Sequence, residues 1–270
     1  MFNSHVHTNH SHDCNTPMEK MCESAIEAGM CGISVTDHFN ADSCISQNSY
    51  RSVLNSAIEA RSLSKKYGDR LLITVGIEMS DVFRKPEYSA RLIKAVRPDS
   101  IIMSVHNVVV SSLAENIARM RFSSMSEEKV DKVISVYFKE LTKAVTLTDF
   151  DICGHLTLPY RYTNGVYKMR LSYEKFLPEI KKILSILIDR NKALEINTSD
   201  VHHQLHDFMP DENIVRMYYE MGGRLVTIGT DAHRADNISA GFKEAKEMLS
   251  KIGFKSYCYY KSRKMVEISL

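Results

Sequence analysis

His5 and His7 stand two residues apart in FNSHVHT. On a strand, that spacing points both imidazoles to one face. Side by side in a dry site, two imidazoles repel when protonated and pack poorly when neutral. A divalent cation resolves the conflict, because it takes neutral imidazole nitrogens. Similar placements recur along the chain. Thr36-Asp37-His38 and Gly229-Thr230-Asp231-Ala232-His233 each bring a carboxylate and an imidazole together. Glu78 lies near the end of one apolar run, and His106 and His155 lie near the ends of two others. All 11 histidines fall at or just after the C-terminal end of a β-like run. Taken singly, each is better read as a hydrogen-bonded core residue, and the joint placement is what points to metal chemistry. Mixed imidazole and carboxylate ligands suit Zn, Mn or Fe and not a thiolate zinc site. The ligands are too many for one ion. Two or three ions sharing a bridging carboxylate suit phosphoester hydrolysis, since cations lower the pKa of water, bind phosphate oxygens and hold the leaving oxygen.

The elements that must position these residues are short apolar runs at 2–8, 32–38, 71–80, 100–108, 150–156, 193–199 and 224–233. Helical patterns separate them. The first predicts Thr16 as N-cap, Pro17 at the first helical position and Glu19 completing a capping box, with the helix closing near Gly29. Others cover about 50–67, 86–97, 127–148, 172–190, 211–222 and 235–252. Such alternation predicts an α/β fold with a parallel sheet buried on both faces. Polar clusters at every strand end favour a seven-unit barrel over an open doubly wound sheet, because in a barrel those ends converge on one mouth. The tail KSYCYYKSRKMVEISL predicts one or two further strands. With no Pro-, Gly- or Ser-rich linker, residues 1–270 read as one domain.

A formal charge of +2 gives no basic footprint for nucleic acid or an anionic membrane. No apolar run reaches the roughly 18 residues needed to span a bilayer. MFNSHVHTNHSHDC lacks the basic start and apolar segment of a secretory signal, so a cytoplasmic chain is expected. Cys14, Cys22, Cys31, Cys44, Cys153 and Cys258 are scattered and read as reduced thiols. The oligomeric state is left open.

The order H-x-H-T-x-x-S at 5–11, TDH at 36–38, Glu78 in GIEM, SVH at 104–106, GH at 154–155 and GTDAH at 229–233 resembles the PHP (polymerase and histidinol phosphatase) superfamily. Length, motif spacing and the GIEM, SVHN, GHL and LEINT segments resemble its stand-alone histidinol-phosphate phosphatases. The resemblance implies a distorted (β/α)7 barrel with three divalent metal ions. One ion would take His5, His7, Glu78 and Asp231, with Glu78 bridging. A second would take Glu78, His106 and His155, and a third Asp13, His38 and His233, with His12 a rival of Asp13. It implies hydrolysis of L-histidinol phosphate, a small phosphomonoester, through a metal-bridging hydroxide, with the proton reaching the leaving alkoxide from Asp231 or a nearby imidazole such as His233. Arg161 matches a phosphate-binding arginine of these phosphatases, and its planar fork suits two phosphate oxygens. Where relatives carry a second arginine, this chain has Ser199, and His202, His203, His206 or Arg234 are candidates to replace it. Residues 111–148 separate two motifs by more than a helix and a loop. They are expected to form either a lid bearing Met120, Phe122 and Met125 or a helix pair outside the barrel. Alternative readings are a PHP enzyme for another phosphomonoester, phosphotyrosine or an oligonucleotide, a non-catalytic metal-binding module, and an amidohydrolase-like barrel.

Overall fold

The computed structural model describes residues 1–41 and 48–270. Cys44 lies outside the described residues, and the other five cysteines are free thiols. Seven strands, β1 (Phe2–Val6), β2 (Gly32–Val35), β3 (Leu72–Ser80), β4 (Ser100–Ser104), β5 (Ile152–Cys153), β6 (Ala193–Asn197) and β7 (Val226–Gly229), pair in chain order, all parallel. The first and last strands meet. Val6 forms a parallel bridge with Ala232, the His7 N–H donates to the Ala232 carbonyl at 3.0 Å, and the Asp231 N–H donates to the His5 carbonyl at 2.9 Å. The sheet is therefore a nearly closed (β/α)7 barrel, joined at the C-terminal ends of its first and last strands. Its helices are α1 (Met18–Glu27), α2 (Ser49–Tyr67), α3 (Pro86–Val96), α4 (Glu127–Leu147), α5 (Leu177–Asp189), α6 (Glu212–Glu220) and α7 (Phe242–Ile252). No described helix is long and apolar enough to cross a membrane.

The strands are buried on both faces, but the faces differ chemically. Outward residues such as Ile33, Val35, Ile101, Met103, Leu194 and Ile196 join the main apolar core. Above the floor, inward residues are small or polar; successive side chains alternate across a strand, so the two faces can differ. A Cβ on Gly76 would meet Thr36, Ser34 and Ser100, and one on Gly229 would meet Glu195 and His5. The barrel floor is apolar. Ile102, Ile152 and Ala193 pack with Cys258 and Tyr260 of an antiparallel hairpin, β8 (Ser256–Lys261) and β9 (Lys264–Ser269). This hairpin accounts for the strands expected in the tail, and it closes the end of the barrel opposite the strand C-termini.

Two local expectations differ. The capping box does not form, because Thr16 Oγ1 donates to the His233 carbonyl at 3.1 Å and Pro17 stands at the cap without a side-chain bond. The run 32–38 breaks after Val35 and resumes at His38–Asn40, which pairs with the distal half of β3 and sets His38 opposite Glu78. In the long segment after β4, Phe122 is core, against Tyr167, while Met120 and Met125 line a cavity of about 610 Å³ beside the mouth.

Candidate metal centre

The inward parity carries the site. β1 presents His5 and, one residue past its end, His7, and β3 presents Glu78 to both. His5 Nε2 lies 3.5 Å and His7 Nε2 3.4 Å from Glu78 Oε2. His38 Nδ1 approaches the same oxygen at 2.7 Å. The other oxygen, Oε1, meets His155 Nε2 at 2.9 Å, His106 Nε2 at 3.1 Å and the Ser104 hydroxyl, which donates at 2.7 Å. Asp231, just beyond β7, lies 3.1 Å from His7 Nε2 and 3.6 Å from His5 Nε2. At the rim, Asp13 spans His38 Nε2 and His233 Nε2, each at 3.3 Å. All nine residues of the implied ligand set thus gather at one mouth, over a cavity of about 390 Å³. His12 lines the same cavity, and its Nε2 is 3.9 Å from Asp13.

Hydrogen bonds outside the cluster aim the rings. The Ser11 hydroxyl donates its one proton to Asp37 at 2.6 Å, so at His7 Nδ1, 3.0 Å away, it accepts. His7 therefore carries its proton on Nδ1 and turns a bare Nε2 inward. Asp37 is itself fixed by the Thr8 N–H, the Thr8 hydroxyl and the Ser56 hydroxyl, at 2.6–2.7 Å. His5 donates from Nδ1 to Glu195 at 2.6 Å.

The electrostatics call for positive charge. Burial opposes a charge on His5, yet Glu195, Asp231 and Glu78 outweigh it and hold its pKa well above the ordinary value. Burial also opposes a charge on His38, but Glu78 and Asp13 lift it to about 10. Burial, with His38 and His233 beside it, lowers His7 to about 3. Burial would raise Glu78 and Asp231, but the surrounding imidazoles hold both well below the usual carboxylate range. His5 Nε2 and His7 Nε2 are 3.0 Å apart, so only a proton or a cation can stand between them. His155 Nδ1 is buried without a hydrogen-bond partner among the described residues, and His38 Nδ1 and Glu78 Oε2 have only each other and the neighbouring imidazoles. Ligand atoms within 4.8 Å of one another come from His5, His7 and Asp231, from His7, His38 and His233, from His38, Glu78 and His106, and from His12, Asp13 and His38. This donor set fits divalent cations that accept nitrogen and oxygen together.

The expected substrate contacts divide. Arg161 lines the mouth, half-buried, with Nη1 3.8 Å from Asp231 and Nε 3.9 Å from Asp200. Ser199, His202, His206 and Arg234 do not line it. Ser199 donates to Asn197 at 2.6 Å, and exposed His202 pairs with Glu244. Exposed His206 donates its N–H to the Asp200 carbonyl, and Arg234 pairs with Asp236 on the surface. These residues follow strand ends in sequence, but their loops turn away from the mouth. Two residues that the sequence reading passes over are part of the site. Arg119, from the segment after β4, lines the cavity with Arg161. Glu195, fully buried on β6, backs His5. Parity would have found Glu195, since Ala193, Glu195 and Asn197 share one strand face.

Fold and site together define a parallel barrel built to gather cations at the C-terminal mouth of its strands. The chain belongs to the PHP domain family, whose model matches residues 3–199. A probable histidinol-phosphatase of Thermotoga maritima is 34% identical over 142 residues, which are 52% of this chain and 57% of that protein. One from Clostridium acetobutylicum is 25% identical over 97% of both chains. The crystal structure of a histidinol phosphate phosphatase from Lactococcus lactis, complexed with zinc, L-histidinol and phosphate, covers 98% of both chains with a TM-score of 0.76. At 22% identity, that likeness speaks for the fold.

Proposed function

We propose that this chain is a metal-dependent phosphomonoesterase that hydrolyses L-histidinol phosphate to L-histidinol and inorganic phosphate. The observation that carries the reading is Glu78. Both oxygens of one buried carboxylate are approached by imidazole nitrogens, three on one oxygen and two on the other. The full-length likeness to named histidinol-phosphatases supports the substrate. His5, His7 and Asp231 would hold one cation, His106 and His155 a second, and Asp13, His38 and His233 a third, with Glu78 shared. Zinc, manganese and iron all suit these ligands. When bound, such cations supply a water of lowered pKa and neutralise charge on the phosphate.

The chain's own groups do the rest. Arg161 and Arg119 face the cavity and bind phosphate oxygens; the guanidinium fork of Arg161 can engage two at once. His233, whose Nδ1 lies 3.7 Å from the Asp231 carboxylate at the rim, would relay a proton to the departing alkoxide; Asp231, held ionised by its imidazole neighbours, would accept and hand on that proton without carrying one at rest. The polar mouth, over a cavity of about 390 Å³, suits a small phosphomonoester, and a formal charge of +2 gives no basic footprint for a nucleic acid. Phosphate release from histidinol phosphate, compared with phosphotyrosine, nucleoside monophosphates and an oligonucleotide, with zinc and manganese supplied separately, tests the reading. kcat/KM should be highest for histidinol phosphate, and no turnover should occur without metal. Equal or better turnover of another ester would reassign the substrate.

A further inference from the structure

We infer that Glu195 is a positioning residue that aims the ligands of two different cations from a single carboxylate. This rests on the reading of the cluster as a cation site, and it concerns a residue that would touch neither ion nor substrate. Glu195 stands on β6 with no exposed surface. Oε1 accepts the Nδ1–H of His5 at 2.6 Å, and Oε2 accepts the backbone N–H of His155, also at 2.6 Å. Asn197 adds a weaker donor to Oε2 at 3.2 Å. The first bond fixes the ring orientation and tautomer of His5, so that Nε2 faces His7, Glu78 and Asp231. The second holds His155 at φ +20°, a backbone conformation that a non-glycine residue seldom adopts. In that conformation His155 Nε2 reaches Glu78 Oε1.

One glycine makes room for this carboxylate, and a second makes room for Ser104 and Ile102 beside it. A Cβ on Gly229 would lie 2.3 Å from Glu195 Oε1 and 2.6 Å from the His5 Cβ, and one on Gly154 would meet Ser104 and Ile102 at 2.7 and 2.8 Å. Gly229, which precedes Thr230-Asp231, thus has a packing reason at Glu195 itself, whereas Gly154, before His155, has one at β4 and stands an ordinary 3.6 Å from Glu195 Oε2.

Glu195→Gln keeps the size but turns one of the two acceptor oxygens into a donor, so either His5 or His155 loses its anchor. Zinc titration of the full chain against a chromophoric chelator, with cobalt(II) absorption spectra as a second readout, tests this. The expected result is a folded E195Q variant, by circular dichroism, that binds zinc about 10- to 100-fold more weakly and shows an altered cobalt spectrum. Wild-type affinity and spectrum in E195Q would overturn the role of Glu195 alone. A wild-type chain that binds no zinc would overturn the cation reading as well. Should E195Q not fold, long-range 15N NMR of wild-type protein loaded with zinc decides. His5 protonated at Nδ1 supports the assignment, and protonated at Nε2 it refutes it.

Discussion

Replacing Glu78 with Gln removes one charge and one acceptor at the point where the cluster converges. No orientation of the amide serves both sides. With NH2 in place of Oε2 it faces the nitrogens of His38, His7 and His5, and in place of Oε1 it faces those of His106 and His155. Removing one partner of a buried charged set costs about 3–5 kcal/mol. That cost falls on stability; a lost electrostatic contact at the reacting centre costs about 2.7–4 kcal/mol of transition-state stabilisation, and at about 1.4 kcal/mol per tenfold kcat should fall roughly 10²- to 10³-fold. The assay is phosphate release from histidinol phosphate, paired with the count of bound ions per chain. The fold should survive with a lowered melting temperature, because the surrounding apolar core is untouched and a domain's stability is typically about 5–15 kcal/mol. An E78Q variant that turns over within tenfold of wild type and keeps its full ion content would refute the argument that this carboxylate is shared.

Arg161→Ala should raise KM about 10- to 100-fold with little change in kcat, matching the loss of a charge-assisted bond of about 1.5–3 kcal/mol; steady-state kinetics showing an unchanged KM would remove the phosphate contact. Ser11→Ala strands two buried donors, His7 Nδ1–H and the His38 N–H. At about 1–3 kcal/mol each, stability should fall by about 2–6 kcal/mol, and a thermal melt that does not move would count against the Ser11–His7 geometry. Cation binding should release protons at neutral pH, because His5 and His38 are raised and an ion takes the deprotonated nitrogen. The sign follows: affinity falls as pH falls. Calorimetry in two buffers of different ionisation enthalpy should give different heats, and identical heats would contradict the raised imidazoles.

Much of this site could be read in the sequence because a barrel turns chain order into spatial order. Each strand end contributes to the same mouth, so His5, His38, Glu78, His106, His155 and Asp231 could be related without knowing any loop. The loops themselves are different. Ser199, His202, His206 and Arg234 follow strand ends as closely as the ligands do, yet hydrogen bonds and surface ion pairs turn them elsewhere. Direction after the last strand residue depends on tertiary partners that local spacing does not encode. Thr16 makes the same point, since a good capping residue is drawn instead to the His233 carbonyl. Glu195 was hidden for another reason. It sits between Leu194 and Ile196, and a run read as uniformly apolar conceals that its inward parity is polar.

The most direct test of the central claim is an anomalous difference map from a crystal grown with zinc or manganese. The account predicts two or three peaks at the mouth, each within coordination distance of residues from the set His5, His7, Asp13, His38, Glu78, His106, His155, Asp231 and His233. A map without a peak there, or with these side chains turned away from one another, would contradict it.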